Sequence, residues 1–272
     1  MQNTPLHPNT GIERPTPFPP RGSGRLELRL AATPAEIDAC QALRHEVFGI
    51  ELGARLSGHA ERRDRDRFDP WCRHLYVRDT ATGAIVGCTR LLDEQGARRA
   101  GGFYSEEEFD MASILALPGG KLELGRTCIH PDHRRGPALP LLWRGIAELT
   151  RSLQVRLLFG CASVTMRDGG YHAHAVMGHV RSRHMAPEDC QVTPRLPLPE
   201  INQIEDEHPE LPALLRAYLR LGMNVCGEPC WDPDFGVADL FVLLDLERVP
   251  ERYRRRFLPE QPSDTAVNAA MH

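Results

Sequence analysis

The stretch Lys121-Leu-Glu-Leu-Gly-Arg-Thr-Cys-Ile-His-Pro-Asp-His-Arg-Arg-Gly-Pro-Ala138 concentrates the residue types best able to do chemistry. It reads as a strand carrying Glu123 and Arg126, then a tight turn with Arg134, Arg135 and Gly136, then a helix with Pro137 at its first position. An acid held next to an anion-binding turn is a frequent way to build an acyl-transfer site. Strict alternation places Glu123 and Arg126 on opposite faces of the strand. A bulge at Gly125 would bring Arg126 round to the face of Glu123. It would also aim backbone N–H groups outward, where they could hold the oxygen of a carbonyl under attack. The helix N-terminus behind the basic turn offers unpaired N–H groups and partial positive charge, a seat for phosphate. Taken singly, an edge-strand ion pair and a basic turn that binds nothing explain the same residues.

A second set lies upstream. Arg44 and Phe48 stand four apart on a helix and share a face. Asp66, Phe68 and Asp69 fall in a polar stretch, and Arg90 sits late in a strand. Each is blandly read as a solvated charge. Together, acids and arginines spread over strand ends and a loop suit a pocket for a polar small molecule.

The elements that must position these groups are legible in outline. Residues 1–24 are rich in Pro, Thr, Asn and Gly and read as a disordered leader. Arg25–Leu30 alternates as a half-buried strand does. Thr33-Pro-Ala-Glu36 is a capping box with proline at the first helical position, opening a helix over 34–48. Residues 49–72 read as a long loop. His74–Arg78 and Ala84–Leu92 read as an antiparallel hairpin. Ser105-Glu-Glu-Glu108 is a second capping-box match, opening a short helix. Leu122–Ile129 is a strand, 137–153 a helix, and the apolar run Val155–Val164 a buried central strand. A helix follows Gly170, and residues 186–212, with six prolines, are irregular. Leu214–Leu221 reads as a helix, Val237–Leu246 as a strand, Arg252–Phe257 as a short terminal helix, and 258–272 as a disordered tail. This order implies an α/β fold with a mixed sheet, in one domain over residues 25–257.

Composition narrows the function classes. The net charge of -4 argues against a general nucleic-acid binder. Of the 33 lysines and arginines, Lys121 is the only lysine. Eight cysteines are scattered without a secretory leader, so free thiols in a reducing cytoplasm are expected, Cys226 and Cys230 among them. No apolar run approaches the roughly 20 residues that cross a bilayer.

Leu43-Arg44-His-Glu-Val-Phe48, Asp66-Arg-Phe-Asp69, Cys72-Arg-His74-Leu, Val86-Gly-Cys-Thr-Arg90-Leu-Leu, Phe103-Tyr104-Ser105 with Glu108-Phe109, Glu123-Leu-Gly-Arg126, Leu142-Trp143 and Phe159-Gly-Cys-Ala-Ser163 follow one another in order. Over roughly residues 26–180 this pattern resembles the ornithine N-acyltransferases of bacterial ornithine-lipid synthesis, which are GNAT-like and similar to acyl-homoserine lactone synthases. The resemblance implies a GNAT-like mixed central β-sheet flanked by helices, with a bulged strand at Glu123–Ile129 splayed from Val155–Val164 to admit pantetheine. It implies a 3-hydroxyacyl group on acyl carrier protein as donor and the α-amine of ornithine as acceptor. No resident cofactor or metal is implied, because the donor brings its own phosphopantetheine arm. Similarity to the lactone synthases puts Arg44, Phe48, Asp66, Asp69, Arg90, Glu123 and Arg126 at positions that shape the site.

On that reading Glu123 takes the proton of the amine, directly or through water, and N–H groups near Gly125 hold the oxyanion. Arg90 or Arg126 grips the acceptor carboxylate, and Asp66 or Asp69 the side-chain ammonium. Arg134 and Arg135 meet the phosphate. A turn with Gly136 as its only glycine suits a carrier arm with one phosphodiester better than a full nucleotide. The product is amphiphilic, so peripheral contact with the inner face of the membrane is an expectation, with the basic Arg252–Arg256 cluster as a candidate. A lactone synthase-like or other amino-acid acyltransferase is the near alternative. The His-x4-Asp spacings, three in one chain, and the histidines at 172, 174, 179 and 184 carry weaker readings, a glycerolipid acyltransferase and a zinc site, and a carrier-binding non-enzyme is a distant alternative.

Overall fold

Thr33 turns the chain from strand into helix. Its hydroxyl accepts the Glu36 amide at 3.3 Å, and the Glu36 carboxylate accepts the Thr33 amide at 3.0 Å. The predicted capping box is therefore closed at both ends. The computed structural model describes residues 21–201, 209–252 and 255. In chain order its elements begin with β1 (Arg21–Ser23), β2 (Leu26–Leu30), α1 (Pro34–Arg44), β3 (Arg73–Asp79), β4 (Ile85–Asp93) and α2 (Glu94–Ala100). They continue with β5 (Phe109–Asp110), α3 (Ala112–Ala116), β6 (Gly120–Ile129), α4 (Ala138–Ser152), β7 (Val155–Thr165) and α5 (Tyr171–Arg181). The last are β8 (Thr193–Pro194), α6 (Ala213–Arg220), β9 (Asn224–Val225), β10 (Cys230–Asp232) and β11 (Val237–Asp245).

The main sheet runs β1-β2-β3-β4-β6-β7-β11-β10, with β9 also on β11. Its neighbours are antiparallel except β6 and β7, which lie parallel and are joined through α4. This is the mixed α/β sheet expected. Alternation along the strands divides the core. Leu122, Leu124, Leu158 and Ala162 pack on the side of α4, α5 and α6, whereas Phe159 and Phe241 pack with Phe68, Phe103 and Phe109 on the other. Cys40, Leu43 and Val47 lie with Tyr76 and Cys88 in a third cluster under α1.

Several boundaries differ from the sequence reading. Strand β1, Arg21–Ser23, pairs with β2, so paired strand is present inside the stretch read as leader. The helical ladder of α1 ends at Arg44 and continues in wider π-type turns over His45–Glu51, shortening the loop expected over 49–72. Helix α2 had no apolar periodicity to reveal it; Asp93 caps it by accepting the Gly96 amide at 2.8 Å. The match at Ser105 opens only a 3-10 turn, Tyr104–Glu107, since Glu106 accepts the Phe103 amide instead and the Ser105 side chain is used elsewhere. The tail and most of the terminal helix expected at 252–257 lie outside the described residues, as do residues 1–20 and 202–208.

Gly160 closes the parallel pairing against Leu124. A Cβ at this position would stand 2.3 Å from the Leu124 carbonyl oxygen, which is backbone and cannot turn away. Gly160→Ala is expected to destabilise the protein by about 1–3 kcal/mol by forcing the two strands apart. Urea titration of both proteins checks this.

Candidate active site

Strands β6 and β7 pair from Gly120 with Val155 as far as Leu124 with Gly160, then part. Beyond that point β6 keeps its ladder with β4, and β7 keeps its ladder with β11. The gap is a cavity of about 700 Å³. Gly125, Arg126 and Thr127 line it from β6, and Cys161 and Ser163 from β7. Tyr104, Ser105 and Phe48 close one side, the last carried there by the π-type turns after α1.

The expected bulge is present, but it falls on Arg126. Cys88 pairs with Cys128 and Arg90 with Gly125, so Arg126 and Thr127 together oppose Thr89. Arg126 adopts a left-handed backbone with φ of 52°. Gly125 serves the site by its smallness. A Cβ there would lie 3.3 Å from the Arg90 guanidinium nitrogen Nε, so the missing side chain lets Arg90 cross the strand. The Thr89 hydroxyl donates to the Gly125 carbonyl at 3.2 Å, which fixes that carbonyl toward β4. In a trans peptide the next N–H points the opposite way. The Arg126 amide therefore points toward β7, where β7 has already peeled away.

Behind the cavity lies a lattice of three arginines and three aspartates. Arg44 donates through Nε to Asp64 at 2.7 Å and through both terminal nitrogens to Asp69 at 2.7 and 3.0 Å. Arg90 donates to Asp66 at 2.6 Å and to Asp69 at 3.1 Å. Arg126 reaches Asp64 at 3.1 Å and Asp66 at 3.5 Å. Burial, the largest single influence, would raise the Asp69 carboxyl, but the charge and hydrogen bonds of Arg44 with the charge of Arg90 together outweigh it and hold Asp69 well below the usual carboxylate range. Arg44 and Arg90 are only 1% and 3% exposed, so both are committed inside the protein. Of the three arginines, Arg126 alone lines the cavity, its guanidinium 4.5 Å from the Phe235 ring centre and 4.9 Å from that of Tyr104. The structure thus brings Arg44, Asp66, Asp69, Arg90 and Arg126 together, with Asp64, which the sequence reading did not single out.

Glu123 is buried and does not line the cavity. Its carboxylate accepts the Tyr104 amide at 2.8 Å, the Ser105 amide at 2.7 Å and the Ser105 hydroxyl at 2.6 Å. Burial raises its pKa and the Ser105 hydrogen bonds oppose the rise. Ser105 itself does line the cavity, so the acid meets the cavity through that hydroxyl.

A second acidic group escaped the sequence reading. Asp232 and Asp239 line the cavity, and each places a carboxylate oxygen within 4.8 Å of the other and of Glu108. The Ser163 hydroxyl donates to Asp239 at 2.6 Å, and the Cys161 thiol to Glu108 at 3.2 Å. Burial pushes Asp239 up to about 6, against the Ser163 hydrogen bond, and burial with the charge of Asp239 holds Glu108 well above the ordinary range. The signal was available: Asp239 interrupts an apolar central strand, where a charge costs free energy unless it is used.

The sequence comparisons agree with this geometry. An acetyltransferase (GNAT) domain model matches residues 43–144. The chain is 36% identical over 253 residues to the L-ornithine N(alpha)-acyltransferase of Brucella abortus (strain 2308), covering 85% of this chain and 88% of that protein. It is also 36% identical over 246 residues to the same-named protein of Rhizobium meliloti (strain 1021), covering 84% and 82%. The chain belongs to the L-ornithine N(alpha)-acyltransferase family. Among solved structures, the AHL synthase LasI superposes with a TM-score of 0.51 at 10% identity, over 88% of this acyltransferase and 98% of LasI, a likeness of fold.

In this acyltransferase the basic turn precedes α4, with Pro137 as the cap residue and Ala138 as the first helical residue. Arg134 is tied down, donating to both Glu51 oxygens at 2.6 and 2.5 Å and to the Ile129 carbonyl at 3.2 Å. Arg135 and Gly136 are exposed beside it. Cys226 and Cys230 are buried free thiols. Among the described residues, no helix of the acyltransferase is long and apolar enough to cross a membrane.

Proposed function

We propose that the cleft between β6 and β7 acylates the α-amine of ornithine, the first step of ornithine-lipid synthesis, with a 3-hydroxyacyl group delivered as a thioester on acyl carrier protein. The observation that carries the reading is the Arg126 amide, aimed into the gap left by β7 in a member of this family. The thioester carbonyl enters that gap, and its oxygen takes the Arg126 N–H as negative charge develops. The amine nitrogen bonds to the carbonyl carbon, the C–S bond breaks, and the thiolate leaves and takes up a proton. The thioester supplies its own leaving group, so no nucleophilic side chain is required.

The acceptor amine is mostly protonated at neutral pH and must lose a proton before attack. Glu123 does not reach it directly. Ser105 accepts the proton on its hydroxyl oxygen and passes its own to Glu123, 2.6 Å away. This replaces direct abstraction by Glu123. Arg126 takes the acceptor carboxylate, since it alone of the three arginines lines the cavity, where Asp64 and Asp66 hold it, whereas Arg44 and Arg90 are buried away from it. Asp66 and Asp69 are likewise spent on arginines, so neither is the seat of the ornithine side chain. The carrier phosphate sits at the N-terminus of α4 beside Arg135, with Arg134 held back by Glu51. Peripheral contact with the membrane follows from the amphiphilic product.

The test is incubation of the purified protein with 3-hydroxyacyl carrier protein and ornithine. The expected result is one amide on ornithine, by mass, for each carrier thiol released. Thiol release without an amide, or no thiol release, overturns the reading.

A further inference from the structure

We propose that Glu108, Asp232 and Asp239 form the seat of the acceptor's side-chain ammonium and so set which amino acid is acylated. This rests on the reading of the cleft as an amino-acid acyltransferase site. Asp232 pairs directly with Val237, two residues from Asp239 on the same face of β11, so the two aspartates are diagonal neighbours turned into the cavity. Glu108, which does not itself line the cavity, stands behind them on the segment leading into β5, with a carboxylate oxygen within 4.8 Å of both.

Among the described residues, none of the three acids is held in a salt bridge, and against burial and Asp232 the Ser163 hydrogen bond and the charge of Arg126 draw Asp239 down. Glu108 is 8% exposed, and its oxygen Oε1 is buried with no hydrogen-bond partner. Beside two further acids that oxygen either carries a proton, as the raised Glu108 pKa means for the empty site, or takes an N–H from an arriving donor. Asp232 uses Oδ1 to accept the amides of Asp234 and Phe235 at 2.8 and 3.1 Å, which orients the carboxylate and leaves Oδ2 available.

The spacing matches an ammonium group. Three acceptors each about 2.8 Å from one nitrogen, in its tetrahedral N–H directions, stand about 4.6 Å apart. The three oxygens here lie within 4.8 Å of one another. With Arg126 in the same cavity, the site offers a cation for a carboxylate and a group of acids for a second amine. That is the charge pattern of a diamino acid. A neutral side chain of the same length would leave the acids unpaired.

The experiment compares ornithine with norvaline, which has the same carbon chain and no terminal amine. It uses the full chain and its Asp239→Asn, Asp232→Asn and Glu108→Gln variants. The native enzyme is expected to favour ornithine in kcat/KM. Each variant is expected to shrink the ornithine-to-norvaline ratio, on the order of 10²-fold for Asp239→Asn, through a raised KM for ornithine. Asp232 lies on the short edge strand β10 and is partly exposed, so its variant tests the seat without loading the core. A ratio that stays constant while both substrates slow together overturns the seat. A divalent metal retained by the purified protein, with activity lost on chelation, would assign the acids to a metal and also overturn it. Acylation of neither amino acid by the native protein defeats the acyltransferase reading itself.

Discussion

Asp69→Ala is expected to destabilise the protein by about 3–5 kcal/mol, the largest effect of any single change outside the apolar core. Asp69 accepts five hydrogen bonds, from Arg44 twice, Arg90, Gln41 and the Asp66 amide. Removing the carboxylate leaves two buried guanidinium groups short of a partner. The pair costs desolvation when it is made, so the loss reflects bare charge and not the net value of the native pair. Linkage gives the pH dependence. The folded pKa of Asp69 lies below its unfolded value, so its contribution is complete above about pH 5 and is lost as pH falls toward the folded value. Arginines stay protonated throughout, so the lattice fails only on the acid side. Denaturant titrations at neutral and acid pH, on native and variant proteins, measure both. A variant within about 1 kcal/mol of native at neutral pH would show that the lattice is not what holds this region together.

Ser105→Ala is expected to lower kcat by about 10²-fold while leaving the fold intact. The change removes the hydroxyl that joins the cavity to Glu123 but keeps both backbone amides on the Glu123 carboxylate. A purely structural role would shift stability and leave the pH profile alone. A relay would not. Glu123 must be ionised to receive the proton, and burial raises its pKa, so native kcat should climb with pH along a limb above 4.5, the ordinary value for glutamate. In Ser105→Ala that limb should vanish along with most of the turnover. Turnover within twofold of native would rule out the relay.

Much of the site could be read from the chain because its residues violate local expectation. Glu123 and Arg126 are charges in a strand that should be apolar, and the Arg44, Asp66, Asp69 and Arg90 positions recur in a dense ordered pattern. What stayed hidden depended on long-range pairing. Nothing local says that Asp64 bridges Arg44 and Arg126, because its partners lie 20 and 62 residues away. The bulge was placed one residue early, since glycine is the usual sign of unusual backbone and here the left-handed residue is an arginine held by Asp64 and two rings. Glu108, Asp232 and Asp239 meet only after β10, β11 and the segment before β5 have packed. The Ser105 motif reads locally as a helix cap, but its hydroxyl finds its acceptor in Glu123 across the fold.

Among the described residues, five residue pairs between β6 and β7 are the only backbone ladder joining the two halves of the main sheet. Each half is an antiparallel leaf with its own hairpins, and the parallel pairs form a hem along one short length. Above the hem the leaves share no backbone ladder, and the links across the mouth come from loops, the Arg55 amide to the Asp234 carbonyl at 2.7 Å and Arg167 to the Leu52 carbonyl at 2.6 Å. The width of the gap can follow the thickness of an acyl chain, while the hem keeps the Arg126 amide in register with β7.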